Sequence, residues 1–85
     1  MQTIVREMRG IPYFLLKEYL IEMGGAPIDE NQVQGPGWRV EMSRMEPFRL
    51  GSLSVGQTRL EIHIEDDKVD EFMEVFGKKT LRAGA

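Results

Sequence analysis

Residues 59–65 read RLEIHIE, and this stretch decides the fold class. Apolar residues alternate here with polar ones, and the apolar set is Leu60, Ile62 and Ile64. Because successive side chains of a β-strand point to opposite faces, the alternation predicts a strand with one face in the core and the other in solvent. The predicted solvent face carries Arg59, Glu61, His63 and Glu65.

A second stretch of strict alternation lies at residues 38–43. Its apolar set is Trp38, Val40 and Met42, and its polar set is Arg39, Glu41 and Ser43. The two-residue period indicates another half-buried strand. Trp38 is either a core residue or an anchor at an interface, and we expect it in the core, which is the more common place for a tryptophan on an apolar strand face.

Two helices are predicted on either side of these strands. The first follows a strand over residues 3–9 and has Pro12 in its first turn, where proline is tolerated. Its apolar stripe is Leu16, Tyr19, Leu20 and Met23, and Gly24-Gly25 end it. The second begins after a cap at Asp66 or Asp67 and has the stripe Val69, Phe72, Met73 and Phe76. We expect it to end at Gly77, with Lys78 and Lys79 at its negative end.

Glycine and proline predict the connections between the strands. Pro47 has no N–H for a strand ladder, so we expect a strand break there. The next strand, residues 48–55, would contain a bulge at Gly51-Ser52, and Gly56-Gln57 has the glycine-first pattern of a type II′ hairpin turn. Val33 marks a short edge strand in the polar connector after the first helix.

These elements predict an α+β two-layer sandwich in the order β-α-β-β-β-α, to which Val33 would add one strand. Both helices pack on one face of a single antiparallel sheet, because every strand has one apolar face and each helix one apolar stripe. The other sheet face stays polar and open. At 85 residues, the chain is expected to form one domain over residues 1–85.

Composition narrows the function classes. The chain has no cysteine, which excludes disulfides and thiolate chemistry and fits a reducing cytoplasm. Its net charge of −3, with acids and bases interleaved, disfavours nucleic acid as the partner. No apolar run approaches the ~18 residues that would predict a membrane-spanning helix.

His63 is the first candidate site residue. Side chains two apart in a strand share a face, so Glu61, His63 and Glu65 would lie together and could hold a divalent metal or poise a base. The alternative is an ordinary solvated sheet face. The sequence has no second histidine and no reinforcing ligand motif, which favours the solvated face. We therefore predict no metal and no cofactor.

Four arginines form the second candidate group: Arg39, Arg44, Arg49 and Arg59. Two of them could clamp a phosphate, but no glycine-rich phosphate loop accompanies them. Cross-strand pairing with Glu41, Glu46 and Glu61 is the favoured interpretation. The serines lack the context of a catalytic nucleophile, so we expect that the protein is not an enzyme.

From Gly10 onward, the chain resembles the C-terminal domain of MoaD-related proteins, which are similar to the small subunit of molybdopterin synthase. The strongest matching block is residues 51–55, Gly-Ser-Leu-Ser-Val, running on to Gln57, Arg59 and Glu61. Further matches are Pro12, Leu15-Leu16, Glu18-Tyr19-Leu20, Gly24-Gly25 and Glu46-Pro47. In that family a sulfur-carrier domain precedes this one, so here the domain would be free-standing. The end at Ala83-Gly84-Ala85 differs from the terminal Gly-Gly of sulfur carriers, so carrier activity is not implied.

The resemblance implies a two-layer α+β fold and a non-catalytic accessory domain linked to molybdopterin-type cofactor biosynthesis. It also implies a partner, either a sulfur-carrier protein or its molybdopterin synthase. We expect binding through Arg39, Arg49, Arg59 and Glu61 on the open face, with His63 among them. Two alternatives stay open: a self-associating structural module, for example a homodimer, and a small metal-binding protein centred on His63.

Overall fold

The computed structural model describes residues 1–84, with side chains through Leu81, and contains five strands and two helices within that range. In chain order these are β1 Gln2–Arg9, α1 Tyr13–Glu22, β2 Ala26–Asp29, β3 Gln32–Gly35, β4 Trp38–Leu50, β5 Leu53–Ile64 and α2 Val69–Gly84. The predicted α+β architecture is confirmed, because both helices pack on one face of an antiparallel sheet.

Strand β5, which contains residues 59–64 of the RLEIHIE stretch, lies inside the sheet, whose order is β1-β5-β4-β3-β2. In the register of β4 with β5, Val40 lies opposite Ile62 and Met42 opposite Leu60. The connector after α1 forms a hairpin, β2–β3, where one strand at Val33 was predicted. Prediction of an edge position for Val33 was wrong: β2 flanks β3 on its outer side, and Val33 is fully buried.

The core lies between the inner sheet face and the helices. Leu16 and Leu20 of α1 are completely buried, as are Leu60, Ile62 and Ile64 of β5. Trp38 is a core residue, as predicted: only 7% of its surface is exposed, and its ring meets Phe72 of α2 edge-on with centroids 5.0 Å apart. Gly25 and Gly35 make room for that ring, since a Cβ at either position would overlap it.

The predicted position of the hairpin turn, Gly56-Gln57, was wrong. The turn lies at Gly51-Ser52, where Leu50 faces Leu53 and Gly51 has φ +61°, and β5 continues through Gly56. Gln57 belongs to the ladder because it pairs with Arg9 of β1. The irregularity in register lies between Met45 and Phe48, so Pro47 bulges β4 and does not end it. We call residues 38–45 with 57–64 the hairpin base, and residues 46–56 the hairpin tip.

The end of the second helix was also predicted incorrectly. Gly77 lies inside α2, so Lys78 and Lys79 are helical residues and not a positive cap. The helix continues because Phe76 and Thr80 remain buried one turn apart, and the Thr80 hydroxyl donates to the carbonyl of Phe76 at 3.0 Å. That packing outweighs the roughly 1 kcal/mol cost of glycine in a helix interior.

The start of α2 differs from prediction in a smaller way. A short 3₁₀ turn, Asp66–Lys68, precedes α2, so neither predicted cap residue is the first flanking residue of the α-helix. Asp70 and Glu71 do lie in the first turn of α2, where the helix dipole favours negative charge. Ala85 and the side chains beyond Leu81 lie outside the described residues.

Candidate binding face and its carboxylate–histidine cluster

The sheet face that the helices leave uncovered is the candidate site, and we call it the open face. Strand alternation places polar side chains there in rows that run across β1, β5 and β4. One row is Thr3–His63–Arg39, the next is Val5–Glu61–Glu41, and the third is Glu7–Arg59–Ser43. The predicted polar, open face is therefore present over the central strands.

The centre of the open face brings His63 and two carboxylates together. Glu41 of β4 lies directly opposite Glu61 of β5 in the register. The Nε2 atom of His63 is 3.2 Å from Glu61 Oε1 and 3.4 Å from Glu41 Oε2. The His63 side chain is 19% exposed, while the two carboxylate side chains are 38% and 40% exposed. The cluster is therefore partly shielded from water yet reachable from it.

Glu65, which the sequence placed beside His63, is replaced in the structure by Glu41. Strand β5 ends at Ile64, and the Glu65 backbone N–H donates to the Gly37 carbonyl at 3.0 Å, at the turn that leads into β4. A carboxylate from a neighbouring strand could be found only by knowing the register. The alternation around Glu41 was visible in the sequence, but its pairing with Glu61 was not.

Thr3 of β1 contacts the other side of the imidazole. Its Oγ1 lies 3.2 Å from His63 Nδ1, and the two residues are cross-strand partners. A hydrogen bond at Nδ1 sets the orientation of the ring, so that Nε2 faces the two carboxylates. Sequence reasoning missed Thr3 because it lies 60 residues before His63 in the chain.

Of the predicted binding arginines, Arg39 and Arg59 lie on the open face. Among the described side chains neither forms a salt bridge, so the predicted pairing with glutamates was wrong. The register explains this, because Arg39 faces His63, and Arg59 faces Ser43 on one side and Glu7 on the other. Arg49 was also predicted on the open face, and this was wrong: the register shift between Met45 and Phe48 places it opposite Ser54, on the other side of the hairpin tip.

Arg44 of β4 lies away from these arginines and contacts the start of α1. Its guanidinium lies 4.0 Å from the centroid of the Tyr13 ring. The Tyr13 hydroxyl donates to Asn31 Oδ1 at 2.6 Å, which ties α1 to the β2–β3 turn. Burial raises the pKa of this hydroxyl above its ordinary value, with Arg44 opposing the rise, so it stays a donor at neutral pH. Arg44 therefore supports the fold and is not part of the open face.

Two concave regions adjoin these elements. One, of about 230 Å³, lies at the end of the open face and is lined in part by Arg39, His63 and Gly37. The other, of about 180 Å³, lies between the end of α1 and α2 and is lined in part by Met23 and Phe72. Only the first carries site residues that the sequence predicted.

The fold and the open face define a class: a small two-layer α+β domain whose core lies between the sheet and two helices and whose other sheet face is charged and uncovered. No helix within residues 1–84 is long and apolar enough to cross a membrane. The family described as archaeal MoaD-like protein matches residues 4–85, and the chain belongs to that family. No curated protein gives a significant match. The resemblance to MoaD-related proteins is thereby confirmed.

Proposed function

We propose that this protein is a non-catalytic accessory domain of molybdopterin-type cofactor biosynthesis. In this proposal it binds a sulfur-carrier protein, or the molybdopterin synthase that works with the carrier, through the open face. Membership in the archaeal MoaD-like family supports the pathway. The observation that carries the binding role is the open face itself, a contiguous charged surface on the central strands of the sheet that neither helix covers.

Charge and burial support the open face as a contact surface for another protein. Arg39 and Arg59 are exposed, and their side chains make no salt bridge with any of the described residues. Arginine is enriched where proteins meet, because its planar guanidinium can bind carboxylates with two parallel hydrogen bonds. The carboxylates of Glu41 and Glu61 lie in the row between these two arginines, so the face offers both signs of charge at short range.

Binding is expected to be weak. A polar face gains little from burial of apolar surface, and contacts between domains of this kind resemble transient interfaces of about 600–1,500 Å². We expect dissociation constants that are micromolar or looser. The interaction would then be specific through the arrangement of charges more than through affinity.

The test is an NMR titration of ¹⁵N-labelled, metal-free protein with the sulfur carrier from the same organism, in the presence of a chelator. The expected result is a set of shifts confined to β1, β5 and β4, weakened by Arg39→Ala or Arg59→Ala. Lys78→Ala, on exposed α2, is the matched control and leaves the shifts unchanged. Arg49→Ala, on the other side of the hairpin tip, is a second control and leaves the shifts unchanged.

Absence of any shift at several hundred micromolar carrier, and at the same concentration of molybdopterin synthase, would contradict the proposal. The alternative is then self-association through an edge strand. Strand β2 is exposed along its whole length and carries Ile28, which is 52% exposed. A mass that rises with concentration in sedimentation experiments would support that alternative.

A further inference from the structure

We propose that the open face holds a zinc-class divalent metal ion bound by Glu41, Glu61 and His63. This inference rests on the geometry of these three side chains and is independent of the proposed partner. One ligand atom from each residue, the imidazole nitrogen and one carboxylate oxygen from each glutamate, lies within 4.8 Å of the others. All three residues are on adjacent central strands, so the sheet holds their backbones in place.

The distances fit tetrahedral coordination. With zinc–nitrogen and zinc–oxygen bonds of about 2.0–2.2 Å, two ligand atoms of a tetrahedron lie about 3.4 Å apart. His63 Nε2 is 3.2 Å from Glu61 Oε1 and 3.4 Å from Glu41 Oε2. Octahedral magnesium at about 2.1 Å would draw neighbouring ligand atoms to about 3.0 Å, and it prefers oxygen over imidazole. Both distances are compatible with a shared metal ion, and the imidazole ligand points to zinc or a similar transition metal.

Thr3 completes the arrangement on the far side of the ring. A histidine that binds metal through Nε2 carries its proton on Nδ1, and that proton needs an acceptor. Thr3 Oγ1 is 3.2 Å from Nδ1, on a third strand of the same sheet. The Thr3 hydroxyl can accept that proton, so Thr3 is a positioning residue, which holds the ring with Nε2 toward the carboxylates.

Electrostatics also favour a cation at this place. Glu41 and Glu61 are direct cross-strand neighbours, and like charges in such a pair destabilise a sheet. Neither of the flanking arginines, Arg39 or Arg59, forms a salt bridge with them among the described residues. Two carboxylates and one neutral imidazole would balance the charge of a divalent ion. Three protein ligands leave a fourth position for water or for a donor atom of a bound molecule.

A proton on His63 is the competitor, because an imidazolium could bridge the same two carboxylates without metal. The metal site and the protonated bridge differ in whether they bind zinc with a defined stoichiometry and in how zinc binding depends on pH. Metal binding requires a neutral imidazole, so zinc competes with protons for Nε2 and zinc affinity falls in acid. A purely protonated bridge shows no zinc stoichiometry at any pH.

The test is calorimetric titration of zinc into tag-free, chelator-treated protein at neutral pH, with far-UV circular dichroism to check each variant's fold. The expected result is one zinc per chain with micromolar affinity. His63→Ala abolishes it, and Glu41→Gln weakens it by at least about tenfold because one charged ligand is lost. Glu65→Gln is the matched control: its carboxylate lies just beyond β5, outside the cluster, and its removal leaves affinity unchanged.

Two further measurements distinguish zinc bound by these three ligands from zinc attracted non-specifically by negative charge. Thr3→Val removes the acceptor for Nδ1–H and is expected to weaken zinc binding by about tenfold. Imidazole ¹⁵N shifts are expected to show zinc on Nε2 and the proton on Nδ1. Binding without defined stoichiometry, or equal losses in Glu41→Gln and Glu65→Gln, would overturn the proposal. The zinc experiments use the isolated protein, so their failure leaves the partner titration unaffected.

Discussion

The base and the tip of the β4–β5 hairpin share two strands and a similar alternation of apolar and polar residues, but they differ in burial. In the base, Trp38, Val40 and Met42 are buried against the helices. In the tip, Leu50 and Leu53 are each 65% exposed. The difference is due to the surroundings, because β1 and β3 flank the base and the helices cover it. Alternation thus predicts a strand and its two faces, while burial depends on what packs against it.

The bulge near Pro47 also changes which face is apolar. Residues Met45 and Phe48 face Gln57 and Val55, so two residues of β4 oppose Gly56. Arg9 confirms the side on which Phe48 lies: it bonds Gln57 on the open-face side and places its guanidinium 4.1 Å from the Phe48 ring centroid. The apolar residues of the tip therefore lie on the side of the open face, opposite to those of the base.

The largest difference between base and tip is expected for truncation of a core residue. Ile62→Ala leaves a cavity under both helices and should lower the free energy of unfolding by about 2–5 kcal/mol. The matched variant in the tip, Leu53→Ala, should change it by no more than about 0.5 kcal/mol. Urea denaturation followed by circular dichroism measures both. A melting temperature of Ile62→Ala within a few degrees of wild type would show that the assigned facing of β5 is wrong.

A smaller difference is expected when a methyl group is added at a glycine. Gly35→Ala forces the new Cβ against the Trp38 ring, which also packs against Phe72. Overpacking of this kind costs about 1–3 kcal/mol. Gly56→Ala places its Cβ in open space in the tip and should leave stability unchanged or slightly higher. Thermal unfolding followed by Trp38 fluorescence compares them, and equal melting temperatures would contradict the close packing of Trp38 on β3.

The smallest difference is expected at the boundary between base and tip. Arg44→Ala removes the stacking of a guanidinium on Tyr13, which is worth about 0.5–1 kcal/mol at a partly exposed site. Arg49→Ala, in the exposed tip, should have no measurable effect on unfolding. Urea denaturation of both variants under one set of conditions resolves the difference. If the two variants have the same free energy of unfolding, the contact of Arg44 with Tyr13 does not contribute to stability.

Local pattern predicted the strands of the hairpin base, their facing and α1, because alternation and helical spacing are properties of neighbouring residues. It failed at the turn because Gly51-Ser52 and Gly56-Gln57 have the same glycine-first chemistry. Pairing of Gln57 with Arg9, far away in the chain, decided between them. It failed at Gly77 because burial of Phe76 and Thr80 outweighs the intrinsic cost of glycine.

Only part of the candidate site was predicted, because local pattern shows neighbours within one strand and not neighbours across strands. Glu61 and His63 were recognised because they are two residues apart in one strand. Glu41 and Thr3 come from the strands on either side, and their places depend on register. Glu65 was included incorrectly because the sequence does not show that β5 ends one residue earlier. Residues that meet across strands are therefore the part of such a site that requires a structure.

The position of β1 at the edge of the sheet has a consequence for folding during synthesis. Gln2 pairs with Ile64, so β1 leaves the ribosome long before its partner strand exists. The β2–β3 and β4–β5 hairpins join neighbouring residues and can form early, whereas closing the loop from β1 to β5 must come late. Until then one edge of β5 is unpaired, and an unpaired edge is a template for aggregation. Docking of β1, which requires residues up to Ile64, is the step that closes this edge.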